Sequence, residues 1–109
     1  MRYLVHASGG PSFTSVEQMI PILEKIALPG LDALADLEAK KTILAGGLPV
    51  GERALAFIID APSNEELDAA LQKIPLWGLL TWQVTPLQSF QRRADHERAF
   101  LAKIKKTTP

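Results

Sequence analysis

Residues 58–77, IIDAPSNEELDAALQKIPLW, read as one complete structural unit: the end of an apolar strand, a capped helix, and a proline followed by a bulky anchor. Ser63 and Glu66 stand at capping-box spacing, in which a hydroxyl accepts from a free backbone N–H and the later side chain bonds back. Leu67, Ala70, Leu71 and Ile74 recur every three or four residues, so the helix has one apolar face. Pro75 stops it, because proline has no N–H to continue the ladder and clashes with the preceding turn. Leu76 and Trp77 then plug the corner into the next strand. Asp60, two residues before Pro62, reads as a solvated turn carboxylate. These are folding roles, and the chemistry has to be sought elsewhere in the chain.

Working outward, Ala54–Ile59 is a strand, preceded by the loop GGLPVGER and a partner strand at Ile43–Ala45. A further strand is predicted over Leu79–Thr85, and a first one over Tyr3–Ala7, bounded by a loop at Ser8, Gly9, Gly10 and Pro11. Between the first two strands, Thr14 with Glu17 and Ser15 with Gln18 both fit a helix start near Val16. Ile20, Leu23, Ile26 and Ala27 then share a face. Pro21 and the pair Pro29–Gly30 predict a kinked helix, or two helices meeting near Pro29, the second carrying Leu31, Leu34, Ala35 and Leu37 and ending on Lys40 and Lys41. A last helix, about Phe90–Lys105, aligns Phe90, Ala94, Leu101 and Ile104 before the short polar end KKTTP.

The order strand, helix, strand, strand, helix, strand predicts an α+β fold, a ferredoxin-like β-α-β-β-α-β sandwich with an antiparallel sheet and an added C-terminal helix, in one domain over residues 1–109. Residues 55–59, LAFII, are apolar at every position, whereas a sheet wetted on one side alternates apolar and polar residues. Both faces are therefore expected to be covered, the second by another copy of the chain. The expected assembly is a homodimer closed sheet on sheet. The competing solution is the C-terminal helix folding back over the open face.

Twelve basic and twelve acidic residues cancel, which gives no field to attract nucleic acid or anionic lipid. The basic tail, Arg92 to Lys106, matches no recognised nucleic-acid module and reads as an amphipathic helix that docks on a neighbour. With no cysteine there is neither a disulfide nor a thiolate ligand. No apolar run has the length of a membrane span or a signal peptide, so a cytoplasmic protein without membrane or nucleic-acid partners is expected. Residues 46–47 form no phosphate loop and read as a bulge or a close strand contact. The histidines and carboxylates show no metal-ligand spacing, so neither a metal nor a cofactor is expected.

The run Phe57–Leu87, FIIDAPSNEELDAALQKIPLWGLLTWQVTPL, resembles the second half of muconolactone isomerase-like proteins: strand, Asp-x-Pro-Ser, a Glu-Leu helix, Ile-Pro-Leu, an aromatic and a Val-containing strand in that order. The resemblance implies a ferredoxin-like subunit, a dimeric α+β barrel as the smallest assembly with higher oligomers built from such dimers, and a proton shift beside a lactone carbonyl. The chain departs from the family at the end of its first long helix, where LEAKKTILAGG replaces a tryptophan- and arginine-rich segment.

A proton shift needs a base that titrates near working pH, which makes His6 the candidate catalytic residue. Strand alternation puts His6 and Ser8 on one face, and Thr81 and Gln83 on the matching face of the neighbouring strand, as substrate-binding candidates. Trp82, with Tyr3, is a candidate to stack on a flat substrate, and Arg53 a candidate to bind a carboxylate. His96, within ADHERAF, reads as solvated. The expected activity is a cofactor-free isomerase acting on a small organic acid or lactone. The alternatives are a non-enzymatic ligand-binding or assembly module and a cofactor-free oxygenase of the dimeric-barrel kind.

Overall fold

The structure, a computed structural model, describes residues 1–10 and 12–108. Pro11, read above as part of the loop after the first strand, and Pro109, the last residue of the polar end, lie outside the described residues.

Four strands, β1 (Arg2–Ser8), β2 (Ile43–Gly47), β3 (Ala54–Asp60) and β4 (Thr81–Leu87), form one sheet in the order β2-β3-β1-β4. Every pairing is antiparallel. With helices in the two crossovers this is the ferredoxin-like α+β arrangement expected from the element order. On one face, Tyr3, Val5 and Ala7 of β1 and Leu55, Phe57 and Ile59 of β3 are buried, and they form a single core with Leu67, Leu71, Ile74 and Leu76. The Tyr3 hydroxyl donates to Asn64 Oδ1 at 2.6 Å, which satisfies the one polar atom of an otherwise buried ring.

The first helical stretch does not break at Pro29. α1 (Val16–Ile22) runs through a π-helical turn, Leu23–Ala27, into α2 (Leu28–Ala39). A proline inside a helix clashes with the carbonyl four residues earlier, here that of Lys25, and the wider π turn opens the ladder at that level. Ser15, not Thr14, is the cap: its hydroxyl accepts from the Gln18 N–H at 3.3 Å, while Gln18 Oε1 accepts from the Thr14 N–H at 3.1 Å. None of the α1 residues is buried. Of the apolar positions expected to face the sheet, Ile26, Leu34 and Leu37 pack against the core, whereas Ile20 and Leu23 stay exposed.

Gly30 is a packing slot, not a helix end. A Cβ there would lie 2.7 Å from Leu76 Cδ1 and closer still to its Cγ, so the absence of a side chain lets Leu76 seat against α2. α3 (Asn64–Gln72) carries half of the expected capping box: Ser63 Oγ accepts from the Glu66 N–H at 3.2 Å, while the Glu66 side chain does not bond back. It ends three residues ahead of Pro75, and a series of turns follows. Leu79 and Leu80 lie in those turns, packed on the core, so β4 starts and finishes two residues later than its apolar run suggests.

α4 (Phe90–Thr107) buries none of its residues. The radius of gyration, 19.3 Å, far exceeds the roughly 13 Å of a compact chain of this length, because this helix projects as an arm. The C-terminal helix therefore does not fold back over the open sheet face, and Leu4 on that face is 41% exposed.

Candidate functional site

Strand register assembles the polar candidates. Across β1 and β4, His6 pairs with Gln83 and Ser8 with Thr81, while Leu4 pairs with Thr85. Residues directly opposite on antiparallel strands hold their Cβ atoms about 5 Å apart, so His6, Gln83, Ser8 and Thr81 form a two-by-two polar block. Because Val5 and Ala7 are buried under the helices, this block occupies the other, uncovered face. On its far side β3 presents Ala56 opposite His6 and Ile58 opposite Leu4. The His6 imidazole is thus half-buried, with a small methyl on one flank and an amide on the other. A neutral imidazole takes or gives a proton, the Gln83 amide both donates and accepts, and the two hydroxyls adapt to either role.

The structure separates the two remaining candidates from this block. Trp82 pairs with Ala7 and so belongs to the helix-covered face. Its indole N–H donates to the Trp77 carbonyl at 3.0 Å, and the two rings meet at 5.3 Å between centroids. Arg53 lies just before Ala54, the last β3 residue paired with β1, and its guanidinium carbon sits 5.7 Å from the centre of the Phe13 ring. The Arg53 carbonyl accepts from the Gly9 N–H at 3.3 Å, which ties the hairpin end to the loop after β1. Arg53 therefore stands at the Ser8 end of the sheet. His96 is exposed on α4. Among the described residues no group of three or more His, Asp or Glu side chains is placed to hold a metal ion, and no helix is long and apolar enough to cross a membrane.

A second feature escaped the sequence reading. A pocket of about 250 Å³ opens between α2 and the β2–β3 hairpin, walled by Leu34, Ile43, Leu55 and Phe57 with Glu38 as its one charged lining residue. Its origin lies in β2, whose register against β3 shifts between Ile43 and Ala45. Beyond that shift Gly46 approaches β3 so closely that a Cβ would lie 2.5 Å from the Ala56 carbonyl oxygen. The paired glycines are the signal that was present. They were legible as a bulge and a close strand contact, but not as the floor of a pocket.

Residues 32–93 match the family described as muconolactone delta-isomerase, a span that reaches from α2 into the start of α4. The chain belongs to the muconolactone delta-isomerase family. His6 and Ser8 precede the matched span, and Arg53, Thr81, Trp82 and Gln83 lie within it. The fold agrees with that membership. A crystal structure of muconolactone isomerase superposes with a TM-score of 0.67 at 19% identity, covering 82% of this chain and 90% of that one. A 5-chloro-2-hydroxyhydroquinone dehydrochlorinase from Burkholderia phenoliruptrix AC1100, in complex with 2,5-dihydroxybenzoquinone, superposes with a TM-score of 0.61 at 20% identity, covering 84% of this chain and 98% of that one. Among curated proteins no match was found.

Proposed function

We propose that this member of the muconolactone delta-isomerase family is a proton-shift isomerase acting on a small organic acid or lactone, bound on the open face of the sheet and enclosed there by a second copy of the chain. The observation that carries this reading is the pairing of His6 with Gln83 in the middle of a sheet face that no helix of the same chain covers. Neutral His6 removes the proton from the γ-carbon of the unsaturated lactone, and the electron pair of the broken C–H bond moves through the conjugated C=C into a dienolate. The Gln83 amide N–H and the Thr81 hydroxyl donate to the enolate oxygen. The imidazolium then delivers its proton to a different carbon, which returns His6 to its neutral form. Base and hydrogen-bond donors suffice for such a shift, and no cofactor enters it.

Arg53, at the Ser8 end of the strands, is assigned the substrate carboxylate in this reading, and Ser8 orients the ring. Trp82 keeps a packing role against Trp77. The second copy supplies the enclosure. Leu4, Ala56 and Ile58 border the polar block without a cover of their own, and a facing sheet removes them from water together with the substrate. A second reading, a non-enzymatic ligand-binding module, is favoured by the pocket under α2, which holds no histidine.

The test is isomerisation of muconolactone in D2O, followed by NMR as deuterium uptake at the exchanging carbon. Replacing His6 with Gln is expected to lower turnover by about 10²- to 10⁴-fold, the usual contribution of a positioned base, while the melting temperature stays that of the parent protein. Unchanged turnover in His6→Gln would remove the imidazole from the mechanism, and no turnover in the parent protein would leave the binding module standing.

A further inference from the structure

The pocket between α2 and the β2–β3 hairpin lies on the opposite side of the sheet from His6, and its chemistry differs. We propose that it binds an uncharged, ring-bearing alcohol, with the ring among Leu34, Ile43, Leu55 and Phe57 and the hydroxyl donating to Glu38. This inference is independent of the isomerase reading, since it uses none of the residues assigned to proton transfer.

Size, lining and charge each narrow the occupant. An apolar cavity of about 150 Å³ takes up benzene, so the 250 Å³ here has room for a larger, bicyclic ring system. The walls are aliphatic apart from Phe57, which suits a flat apolar body and makes burial of a charge costly. Glu38, the only charged lining residue, accepts hydrogen bonds and repels a carboxylate. It stands in the last turn of α2, at the negative end of the helix dipole, which adds partial charge of the same sign. An organic anion is therefore disfavoured at the place that accepts its uncharged alcohol counterpart. The pocket thus selects a different class of molecule from the acids assigned to the open face.

The space is also a built feature. Gly46 cannot carry a side chain without striking β3. Gly47 pairs with Ala56, so a side chain there would point to the His6 face and leave the pocket open. The plug is therefore placed on the α2 wall, as Ala35→Leu, with Leu31→Trp from the same wall if the first variant folds poorly.

The probes are 2-naphthol and 2-naphthoate, titrated by calorimetry into the full chain, with backbone amide shifts recorded by NMR. The naphthol is expected to bind with shifts at Leu34, Gly46, Gly47 and Phe57, and the naphthoate to bind at least about tenfold more weakly, a difference of about 1.4 kcal/mol. Ala35→Leu or Leu31→Trp should weaken naphthol binding at least about tenfold with the melting temperature retained, and Glu38→Gln should narrow the gap between the two probes. Equal affinity for the two probes, undiminished naphthol binding in both plugged variants, or shifts confined to the strand residues around His6 would each overturn the assignment.

Discussion

Tyr3, Val5 and Ala7 of β1 and Leu55, Phe57 and Ile59 of β3 are buried beneath the helices, whereas their neighbours Leu4, His6, Ser8, Ala56 and Ile58 point the other way from the same two strands and none is buried. Both sets come from one alternating sequence, so the local backbone preference is the same for each. The covered set is apolar and continuous with Leu67 and Leu71 of α3, and it accounts for the cohesion of the subunit. The uncovered set mixes aliphatic residues with an imidazole and a hydroxyl. Packing within the subunit gives no reason for His6 to stand among Leu4, Ala56 and Ile58. Polar groups in that position gain their meaning from whatever meets the face, a substrate or a second sheet.

Adjacent isoleucines give the sharpest test of this contrast. Ile59 is 1% exposed on the covered face, and Ile58 is half-buried on the other. Ile59→Ala removes buried methyl and methylene groups from a filled core and is expected to destabilise the protein by about 2–5 kcal/mol, a large part of the roughly 5–15 kcal/mol that holds a domain together. Ile58→Ala should cost about 1 kcal/mol or less at protein concentrations where the chain is a monomer. If a second copy covers the face, that cost grows with concentration, and sedimentation of Ile58→Ala shifts toward monomer. Equal and concentration-independent costs at the two positions would show that the faces do not differ as described.

How much of this was legible follows from the range of each signal. The α3 unit was readable because Ser63, the Leu67–Leu71 spacing and the stop at Pro75 act within a few residues of one another, and only its last turn was misjudged. The polar block was readable because alternation and strand order together fix which residues share a face. Neighbour-dependent features were not. Leu79 and Leu80 have strand-like side chains, yet they serve as turn residues on the core, which shifts β4 by two positions. Pro86 is tolerated inside β4 because that strand is at the sheet edge and pairs only with β1. The Trp77 carbonyl that holds Trp82, the Phe13 ring beneath Arg53 and the pocket floor at Gly46 all depend on contacts between separate elements.

Gly30 shows how closely the covered side is fitted. Alanine at an internal helix position ordinarily gains about 1 kcal/mol over glycine. Here the added methyl meets Leu76, which is only 6% exposed and has nowhere to withdraw. Gly30→Ala is expected to be destabilising by about 1–3 kcal/mol, the usual range for overpacking. The double variant with Leu76→Ala should recover part of that loss, because the two changes share one space. A stabilised Gly30→Ala protein would mean that α2 sits further from the Leu76 corner than the structure places it.

The smallest expected effects separate a helix that covers the sheet from one that does not. Ser63 caps α3 and Ser89 caps α4, the latter by accepting from the Arg92 N–H at 3.1 Å. Loss of either hydroxyl removes the same kind of bond, about 1 kcal/mol. The consequences differ because of what each helix buries. α3 contributes Leu67 and Leu71 to the core, so its loss of stability is shared by the whole subunit, and Ser63→Ala should lower the melting temperature by roughly 4 °C. α4 contributes nothing to that core, and a helix without a packed face keeps only its local stability. Ser89→Ala should therefore leave the subunit's melt unchanged and appear only as faster hydrogen exchange at the first amides of α4. A melting shift in Ser89→Ala that rises with protein concentration would place α4 against another copy of the chain, whereas an equal, concentration-independent shift in both variants would mean that the arm is held by its own subunit.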